Sequence, residues 1–254
     1  MRVTAGLPPA NPALAASRIA RLGGHALEAI GKSRFELRGV EGSALRRARA
    51  DRLRQVCEDV CRVHGFRMNV SGVLPRGPVV LVSNHLSYVD APVLGSLAAS
   101  VPIAKGEIAS WPILGAGSRS LGVIFVQRGD AWSGARALRQ ALRALEDGVS
   151  VLGFPEGTTT HGDGVLDFRR GLFGIARIAR VPVVPIAISY ESPELCWVGD
   201  TFFLPHYLRT AMRPETVVDV RIGSPVSPYS VGSTEDLAQV VRARIGQMIR
   251  RPQP

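Results

Sequence analysis

Short apolar runs rich in β-branched residues recur from residue 79 onward and alternate with stretches of helical spacing. These runs cover residues 79–84, 123–127, 149–154, 181–189 and 217–223. Between the second and third runs, Leu138, Leu142 and Leu145 lie on one face of a helix predicted over residues 135–145, which Gly148 closes. Continuously apolar strands separated by helices are typical of parallel sheets that are covered on both faces. The pattern predicts an α/β fold with a mostly parallel central sheet covered by helices.

The first seventy residues have a different, arginine-rich pattern. Residues 12–31 place apolar residues at roughly helical spacing beside Arg18 and Arg21, which predicts a weakly amphipathic basic helix. Residues 42–64 predict a second helix, and its arginines are Arg46, Arg47, Arg49, Arg52 and Arg54. This face is either the solvated side of a packed helix pair or a dock for anionic lipid headgroups. We therefore expect a basic, membrane-facing helical segment over residues 1–70 and an α/β domain over residues 71–254.

The charge balance points to a polyanionic partner, since 31 Lys and Arg residues face 21 Asp and Glu residues, a net charge of +10. Such a protein is attracted to nucleic acid or to an anionic membrane surface. The sequence has no helix-turn-helix signature and no zinc-finger spacing, and 6% aromatic residues supply few base-stacking side chains. An anionic membrane, with no nucleic acid, is the expected partner. A non-catalytic basic binding module is the alternative that rests on charge alone.

Membrane contact is expected to be peripheral. No window reaches the run of about 18 uninterrupted apolar residues that a membrane span needs, and the nearest, residues 91–104, is interrupted by Gly, Ser and Pro. Prolines also break the N-terminal stretch that would form a signal-peptide core. The expected location is the cytoplasmic face of a membrane, without a signal peptide or span. Three cysteines form neither a disulfide framework nor, with His64, a complete zinc site, so no metal is expected.

The segment from Ser83 to Leu94 carries the first candidate for chemistry. A strand is predicted to end near Asn84, and Ser87 with Asp90 has the spacing of a helix capping box. That structural role explains Asp90 but leaves His85 without one. With His85 in the loop and Asp90 in the first helical turn, the two side chains can meet. A carboxylate on one imidazole nitrogen then leaves the other nitrogen to act as a base.

Three further segments carry weaker signals. Residues 154–164 follow a strand with the sequence FPEGTTTHGDG, in which Glu156 offers a carboxylate and Gly157 permits close approach to the backbone. Alone, this is an ordinary turn. Residues 122–128 predict a strand that delivers Arg128 at its end, either as a surface charge or as a fork for phosphate. Residues 181–185, VPVVP, suit the entry or edge of a strand.

Taken in order, these four segments resemble the four motif blocks of the glycerolipid acyltransferase family, which includes the bacterial PlsC-like 1-acyl-glycerol-3-phosphate acyltransferases. The resemblance covers roughly residues 75–190. It implies that His85 deprotonates the acceptor hydroxyl, which attacks the acyl thioester directly while Asp90 supports the imidazole. The donor would be acyl-CoA or acyl carrier protein, the acceptor a lysophospholipid, and no cofactor would be needed. Phosphatidic acid would be the product formed from 1-acyl-glycerol-3-phosphate.

The same resemblance implies a set of substrate-binding residues. Arg128 would hold the phosphate of the acceptor, while Glu156 and Gly157 would position its glycerol end. The remaining members of the set are Asn84, Lys105, Thr158 and Arg170, of which Lys105 would line the acyl or acceptor path and Arg170 would supply positive charge together with Arg169.

Two departures from the family pattern bear on the acceptor. Thr159 and Thr160 stand where many members have Arg-Ser, and Gln127 precedes Arg128 where an acid is frequent. Another lyso-lipid, for example a lyso-ornithine lipid, is therefore the alternative acceptor. A hydrolase ranks last, since the sequence contains no Gly-x-Ser-x-Gly elbow.

Overall fold

The computed structural model describes residues 11–111 and 114–250 of the chain. Within these residues the chain forms one seven-stranded sheet flanked by helices. The strands are β1 (Phe66–Ser71), β2 (Val80–Ser83), β3 (Ser100–Lys105), β4 (Ile124–Val126), β5 (Ser150–Gly153), β6 (Val183–Tyr190) and β7 (Thr216–Ile222). The helices are α1 (Pro12–Glu36), α2 (Gly42–His64), α3 (Asp90–Leu97), α4 (Leu114–Ser120), α5 (Ala131–Glu146), α6 (Gly171–Ala179), α7 (Phe203–Ala211) and α8 (Thr234–Arg250), with short 3₁₀ helices at Gly106–Ser110 and Pro193–Leu195.

The strand order is β1-β7-β6-β2-β5-β3-β4, and neighbours are parallel except for β6 and β7. The five strands from β2 to β6 therefore all end on one side, which we call the carboxyl end of the sheet; the opposite side is the amino end. Each of the five runs predicted to be strands overlaps one observed strand. The predicted α/β fold with a mostly parallel, helix-covered sheet is confirmed.

The central strands are apolar throughout because both of their faces are buried. Along β2, Val80 and Val82 belong to the core cluster that also contains residues of α5, α6 and α8, whereas Leu81 belongs to the cluster that contains residues of α3. Strand β5 alternates in the same way, with Val151 on the first side and Leu152 on the second. Complete burial of each such side chain contributes about 1.5–3 kcal/mol. Continuous apolar runs are what a doubly covered parallel sheet requires.

The two predicted N-terminal helices are present as α1 and α2, and they pack against each other. The arginines of α2 largely bond within the fold: Arg46 and Arg47 contact Asp147 at the end of α5, Arg52 contacts Gln55, and Arg54 contacts Glu58. Four of the five predicted arginines thus bond to the end of α5 or within α2 itself. None of the described helices is both long and apolar enough to cross a bilayer.

The boundary expected at residue 70 falls inside β1, which pairs in parallel with β7. The sheet therefore begins within the segment that composition separates as residues 1–70. Residues 1–10 of that segment lie outside the described part of the chain.

Arg18 of α1 does not face solvent, although its position in a basic helix suggests that it does. It is 4% exposed, and its guanidinium donates hydrogen bonds to four backbone carbonyls, those of Val63, Ala211, Arg213 and Pro214, at 2.5–3.0 Å. These carbonyls lie at the end of α2 and between α7 and β7, so Arg18 joins three elements.

Candidate active site

His85 lies in the loop between β2 and α3, at the carboxyl end of the sheet. Its backbone N–H donates to Oε1 of Glu156 at 2.9 Å, and its carbonyl accepts from the N–H of Thr160 at 2.9 Å. Both partners belong to the loop that follows β5, the neighbour of β2. The motif after one strand thus fixes the backbone of the motif after the adjacent strand.

The imidazole of His85 meets the carboxylate of Asp90, the first residue of α3. Nδ1 lies 2.7 Å from Oδ2 of Asp90, which also accepts the N–H groups of Leu86 and Ser87 at 2.6 and 3.0 Å. Because Asp90 is fully buried among donors, the imidazole donates from Nδ1 and Nε2 remains the basic nitrogen. The negative charge of Asp90 is further stabilised by its place at the N-terminus of α3, where the helix dipole is positive. The N–H of Ser87 and the imidazole of His85 thus share one carboxylate. The predicted capping box is only half formed, because the Ser87 hydroxyl has no partner among the described residues and α3 begins at Asp90.

The free nitrogen of this imidazole is accessible. The His85 side chain is 18% exposed, and Nε2 has no hydrogen-bond partner among the described residues. The ring stacks on Phe154, with ring centroids 4.1 Å apart and planes inclined by 20°. The orientation of the base is therefore held on one side by Asp90 and on its face by Phe154.

Tyr190, at the end of β6, is a site residue that the motif spacing does not indicate. Its hydroxyl donates a hydrogen bond to Oδ1 of Asp90, the carboxylate oxygen that His85 does not use. Burial, and then the charge of Asp90, raise the pKa of Tyr190 well above its ordinary value. The hydroxyl therefore stays protonated and acts as a donor. The available signal was its place at the end of a strand adjacent to β2.

Asn84 and Glu156 have contacts different from those expected. Asn84 is fully buried, and its amide exchanges two hydrogen bonds with the backbone of Ile188, at 2.9 and 3.0 Å, which tie the end of β2 to β6. Glu156 is 6% exposed and accepts from the N–H groups of His85 and Leu166. Burial raises the pKa of this carboxyl, opposed by those two hydrogen bonds. Both side chains position backbone in this structure, and their expected contacts with substrate stay a prediction.

Of the two neighbouring arginines, Arg169 lies at the site and Arg170 does not. Gly157 has a φ of 71°, and a Cβ placed there would lie 2.9 Å from Nε of Arg169, so this guanidinium covers the glycine. Arg170 instead forms an exposed ion pair with Glu235 at 2.5 Å. The positive charge expected from Arg170 at the site is therefore supplied by Arg169. Thr158, beside Gly157, is exposed at the surface.

Arg128 and Lys105 lie at the same end of the sheet but outside the cluster around His85. The order β2-β5-β3-β4 separates the strand of His85 from that of Arg128 by three steps of roughly 4.8 Å each. Arg128 is exposed and has no hydrogen bond or ion pair within the described part of the chain. Lys105 forms an ion pair with Glu107. His85, Asp90 and Glu156 are thus brought together, and Arg128 stands apart on the same side.

Aromatic side chains adjoin the loop of His85. Tyr88 lies 5.0 Å from Phe203 of α7, whose ring is 4.5 Å from that of Trp111 (centroid distances). Trp197 donates its backbone N–H to the carbonyl of Leu86 at 2.8 Å. Next to this cluster, Phe202 is 81% exposed at the surface. An aromatic cluster therefore lies beside the loop of His85.

The geometry of His85 and Asp90 suits a positioned base, whereas the nearby cysteine does not suit a nucleophile. Burial raises the pKa of the nearby Cys196 thiol to about 11, so it is protonated and unreactive at neutral pH. A histidine held by a buried carboxylate can remove a proton from a hydroxyl and then return it to a leaving group.

Comparison with known proteins gives the same family as the motifs. A model of the acyltransferase family matches residues 66–189. Lyso-ornithine lipid O-acyltransferases of Rhizobium meliloti and Pseudomonas aeruginosa are 34% and 33% identical, over 74% and 72% of this chain and 71% and 73% of theirs. The 1-acyl-sn-glycerol-3-phosphate acyltransferase alpha of Homo sapiens is 40% identical over 149 residues, 53% of this chain and 50% of that protein.

The fold is also that of a solved acyltransferase. The crystal structure of the 1-acyl-sn-glycerophosphate (LPA) acyltransferase PlsC from Thermotoga maritima matches with a TM-score of 0.67, covering 93% of this chain and 100% of that chain at 22% identity. From the relatives and the matched family model, this chain is an acyltransferase and belongs to the acyltransferase family.

Proposed function

We propose that the chain transfers a fatty acyl group from acyl-CoA or acyl carrier protein to the free hydroxyl of a lyso-lipid. The observation that carries this proposal is the His85–Asp90 pair, whose free Nε2 opens at the carboxyl end of the sheet. Ligand sites of open α/β sheets lie at that end.

The mechanism follows from the two nitrogens of His85. Nε2 takes the proton of the acceptor hydroxyl as its oxygen attacks the thioester carbonyl carbon. Asp90 stabilises the imidazolium that forms. The tetrahedral intermediate then collapses, the carbon–sulfur bond breaks, and the departing thiolate takes the proton back from Nε2. The products are the ester and the free thiol, and the histidine is regenerated.

The first candidate acceptor is 1-acyl-glycerol-3-phosphate, which would become phosphatidic acid. Arg128 supports this choice, since it is exposed, lacks a partner in the described chain, and lies at the same end of the sheet as His85. The guanidinium of Arg128 would donate two parallel hydrogen bonds to the phosphate of the acceptor, while the free hydroxyl of the acceptor lies at His85. Arg169 over Gly157 adds a second positive charge near the base.

The second candidate acceptor is a lyso-ornithine lipid. It is favoured by the relatives with that name, which match 71% and 73% of their own length where the human 1-acyl-sn-glycerol-3-phosphate enzyme matches 50%. Thr159, in place of the frequent arginine, also lowers the positive charge available for a phosphate.

The partner surface that we propose is the anionic cytoplasmic leaflet of a membrane. Large apolar side chains are exposed near the carboxyl end of the sheet, where substrate would enter: Leu114, Trp132, Phe202 and Leu204. Aromatic and aliphatic side chains of this kind insert at the lipid interface, while basic residues attract anionic headgroups. Such contact would bring the insoluble acceptor to His85 without a membrane span.

The test is thiol release by the purified full-length protein, supplied with acyl-CoA and a panel of lyso-lipids in detergent or vesicles, with mass spectrometry of the product. His85→Ala is expected to lower turnover by about 10²- to 10⁴-fold, the usual contribution of a general base. His161→Ala is the matched control, because His161 is an exposed histidine in the loop after β5. Near-normal turnover by His85→Ala would refute the mechanism. A product only from 1-acyl-glycerol-3-phosphate would eliminate the ornithine lipid alternative.

A further inference from the structure

A cavity of about 250 Å³ lies at the amino end of the sheet, opposite to His85. Its floor includes Val101 near the start of β3, Gly122 just before β4, and Ala144 in the last turn of α5. All three positions are remote from the carboxyl end, where the candidate active site lies. The cavity is therefore a separate site from the one around His85.

Four arginines from three helices line the cavity: Arg46 and Arg49 of α2, Arg119 of α4 and Arg143 of α5, together with the amide of Gln140. Asp147 pairs with Arg46, and the carbonyl of Ala109 accepts from Arg119. Arg49 and Arg143 have no ion pair in the described part of the chain. Positive charge around this cavity thus exceeds the negative charge that the fold supplies.

Helix dipoles account for only part of this charge. Arg119 and Arg143 each lie in the last turn of a helix, where a cation is favoured by the helix dipole. Arg49 lies well inside α2 and receives no such benefit. Its stem runs over Gly122, where a Cβ would lie 3.5 Å from its Cδ, and its Nε is buried with no partner among the described residues. The fold therefore holds the Arg49 side chain in place but gives its buried Nε no hydrogen-bond acceptor in the part of the chain that the structure describes.

We propose that this cavity binds a phosphate group. Guanidinium groups bind phosphate through paired, charge-assisted hydrogen bonds, and Arg49 with Arg143 supplies the two unneutralised members. At about 250 Å³ the cavity is smaller than sites that enclose whole small molecules, which start at roughly 300 Å³, so it suits a phosphate head with its remainder outside. The source of the phosphate is a soluble phosphomonoester or a lipid headgroup.

The test titrates inorganic phosphate into the full-length protein at constant ionic strength, with calorimetry and thermal unfolding as readouts. Arg49→Gln and Arg143→Gln are compared with Arg139→Gln, an exposed arginine one turn earlier on α5 that does not line the cavity. Saturable binding is expected for the wild type and for Arg139→Gln. Each cavity variant should bind about tenfold more weakly, or worse, because it loses charge-assisted hydrogen bonds. Arg143 is exposed, so its variant remains informative if Arg49→Gln fails to fold.

Competition identifies the source. Displacement of phosphate by adenosine 3′,5′-bisphosphate supports a soluble phosphomonoester, and displacement by phosphatidic acid vesicles, with phosphatidylcholine vesicles as control, supports a lipid headgroup. Equal affinity in all four proteins, or a response to phosphate that does not saturate, would overturn the proposal. Neither result bears on thiol release at His85, so this site and the proposed activity fail or stand separately.

Discussion

The hydroxyl of Tyr190 donates to one oxygen of Asp90 while the imidazole of His85 donates to the other. The three side chains form one hydrogen-bonded series that ends at the free Nε2. The pKa of Tyr190 lies well above its ordinary value because of burial and the neighbouring carboxylate, so this donor does not ionise in the range where histidine titrates. Tyr190 therefore moderates the negative charge that Asp90 presents to the imidazole.

Tyr190→Phe should shift the pH dependence of activity. Without the hydroxyl, the negative charge of Asp90 is less neutralised by hydrogen bonding and stabilises the imidazolium of His85 more strongly. The acid limb of the kcat/KM profile should therefore move to higher pH. The free energy of unfolding should fall by about 1–3 kcal/mol, since Oδ1 loses a buried donor. Initial rates of thiol release across the range in which histidine titrates, with urea unfolding, measure both effects.

Tyr88→Phe is the matched control for this variant. Tyr88 is another largely buried tyrosine near the loop, but its hydroxyl contacts His206 and Thr210 at 3.2 and 3.4 Å rather than Asp90. It should leave the acid limb in place. An identical displacement in both variants would show that the shift comes from general loosening and not from the contact with Asp90.

Glu156→Gln should loosen the His85 loop. The two oxygens of Glu156 accept the backbone N–H groups of His85 and Leu166. Glutamine has only one acceptor oxygen, so one of these N–H groups would face the NH2 group of the new side chain. The free energy of unfolding should fall by about 1–3 kcal/mol. Activity should fall together with stability. Glu146→Gln, an exposed carboxyl at the end of α5, should change neither quantity.

The pH dependence of that stability difference has a defined sign. Burial raises the folded-state pKa of Glu156 above 4.5, so the folded protein binds this proton more tightly than the unfolded chain does. Protonated Glu156 therefore contributes to the free energy of unfolding. This contribution is complete below the pKa of the unfolded state and is lost as pH rises through the pKa of the folded state. A protonated carboxyl still has a lone pair on each oxygen for the two N–H groups, which the NH2 group of glutamine lacks. The advantage of the wild type over Glu156→Gln should therefore be largest in acid and shrink as pH rises from 4.5. A growing advantage in urea unfolding would contradict the direction of the pKa shift.

The contact between His85 and Asp90 is predictable because it is local. The residues are five apart, and only a loop followed by a first helical turn lets them meet. The contacts of Asn84 with Ile188 and of Tyr190 with Asp90 join residues about a hundred positions apart, at 104 and 100. No spacing rule reports such contacts, which depend on β6 lying beside β2. Motif membership therefore located these segments but not the role of each side chain.

The two strands that the sequence pattern misses have physical reasons for their weak signal. Strand β1 lies at the edge of the sheet and is mostly exposed, so the three apolar residues of FRMNVS alternate with polar ones and form no continuous apolar run. Strand β3 follows α3 after two residues, and the apolar run over residues 91–104 spans both elements. An apolar run alone does not distinguish a buried helix from a buried strand.

Arg128→Gln should separate acceptor binding from chemistry. If Arg128 holds the acceptor phosphate, its loss should raise KM for 1-acyl-glycerol-3-phosphate about tenfold or more, the equivalent of one charge-assisted contact. Folding stability should not change, since Arg128 bonds to no described residue. Arg170→Gln is the control with the same change of charge, and its guanidinium is engaged by Glu235. An equal rise in KM in both variants would indicate a general electrostatic effect instead of a phosphate site at Arg128.

Arg18→Met should destabilise the fold far more than Arg21→Met on the same helix. The guanidinium of Arg18 satisfies carbonyls at the end of α2 and in the segment from α7 to β7, whereas Arg21 is exposed. Methionine fills much of the same space but leaves those carbonyls without a donor, so the free energy of unfolding should fall on the order of 3 kcal/mol. Urea unfolding of both variants measures the difference. Similar stability for the two would mean that water replaces the guanidinium at these carbonyls, and that α1 is held to α2, α4 and α7 without this residue.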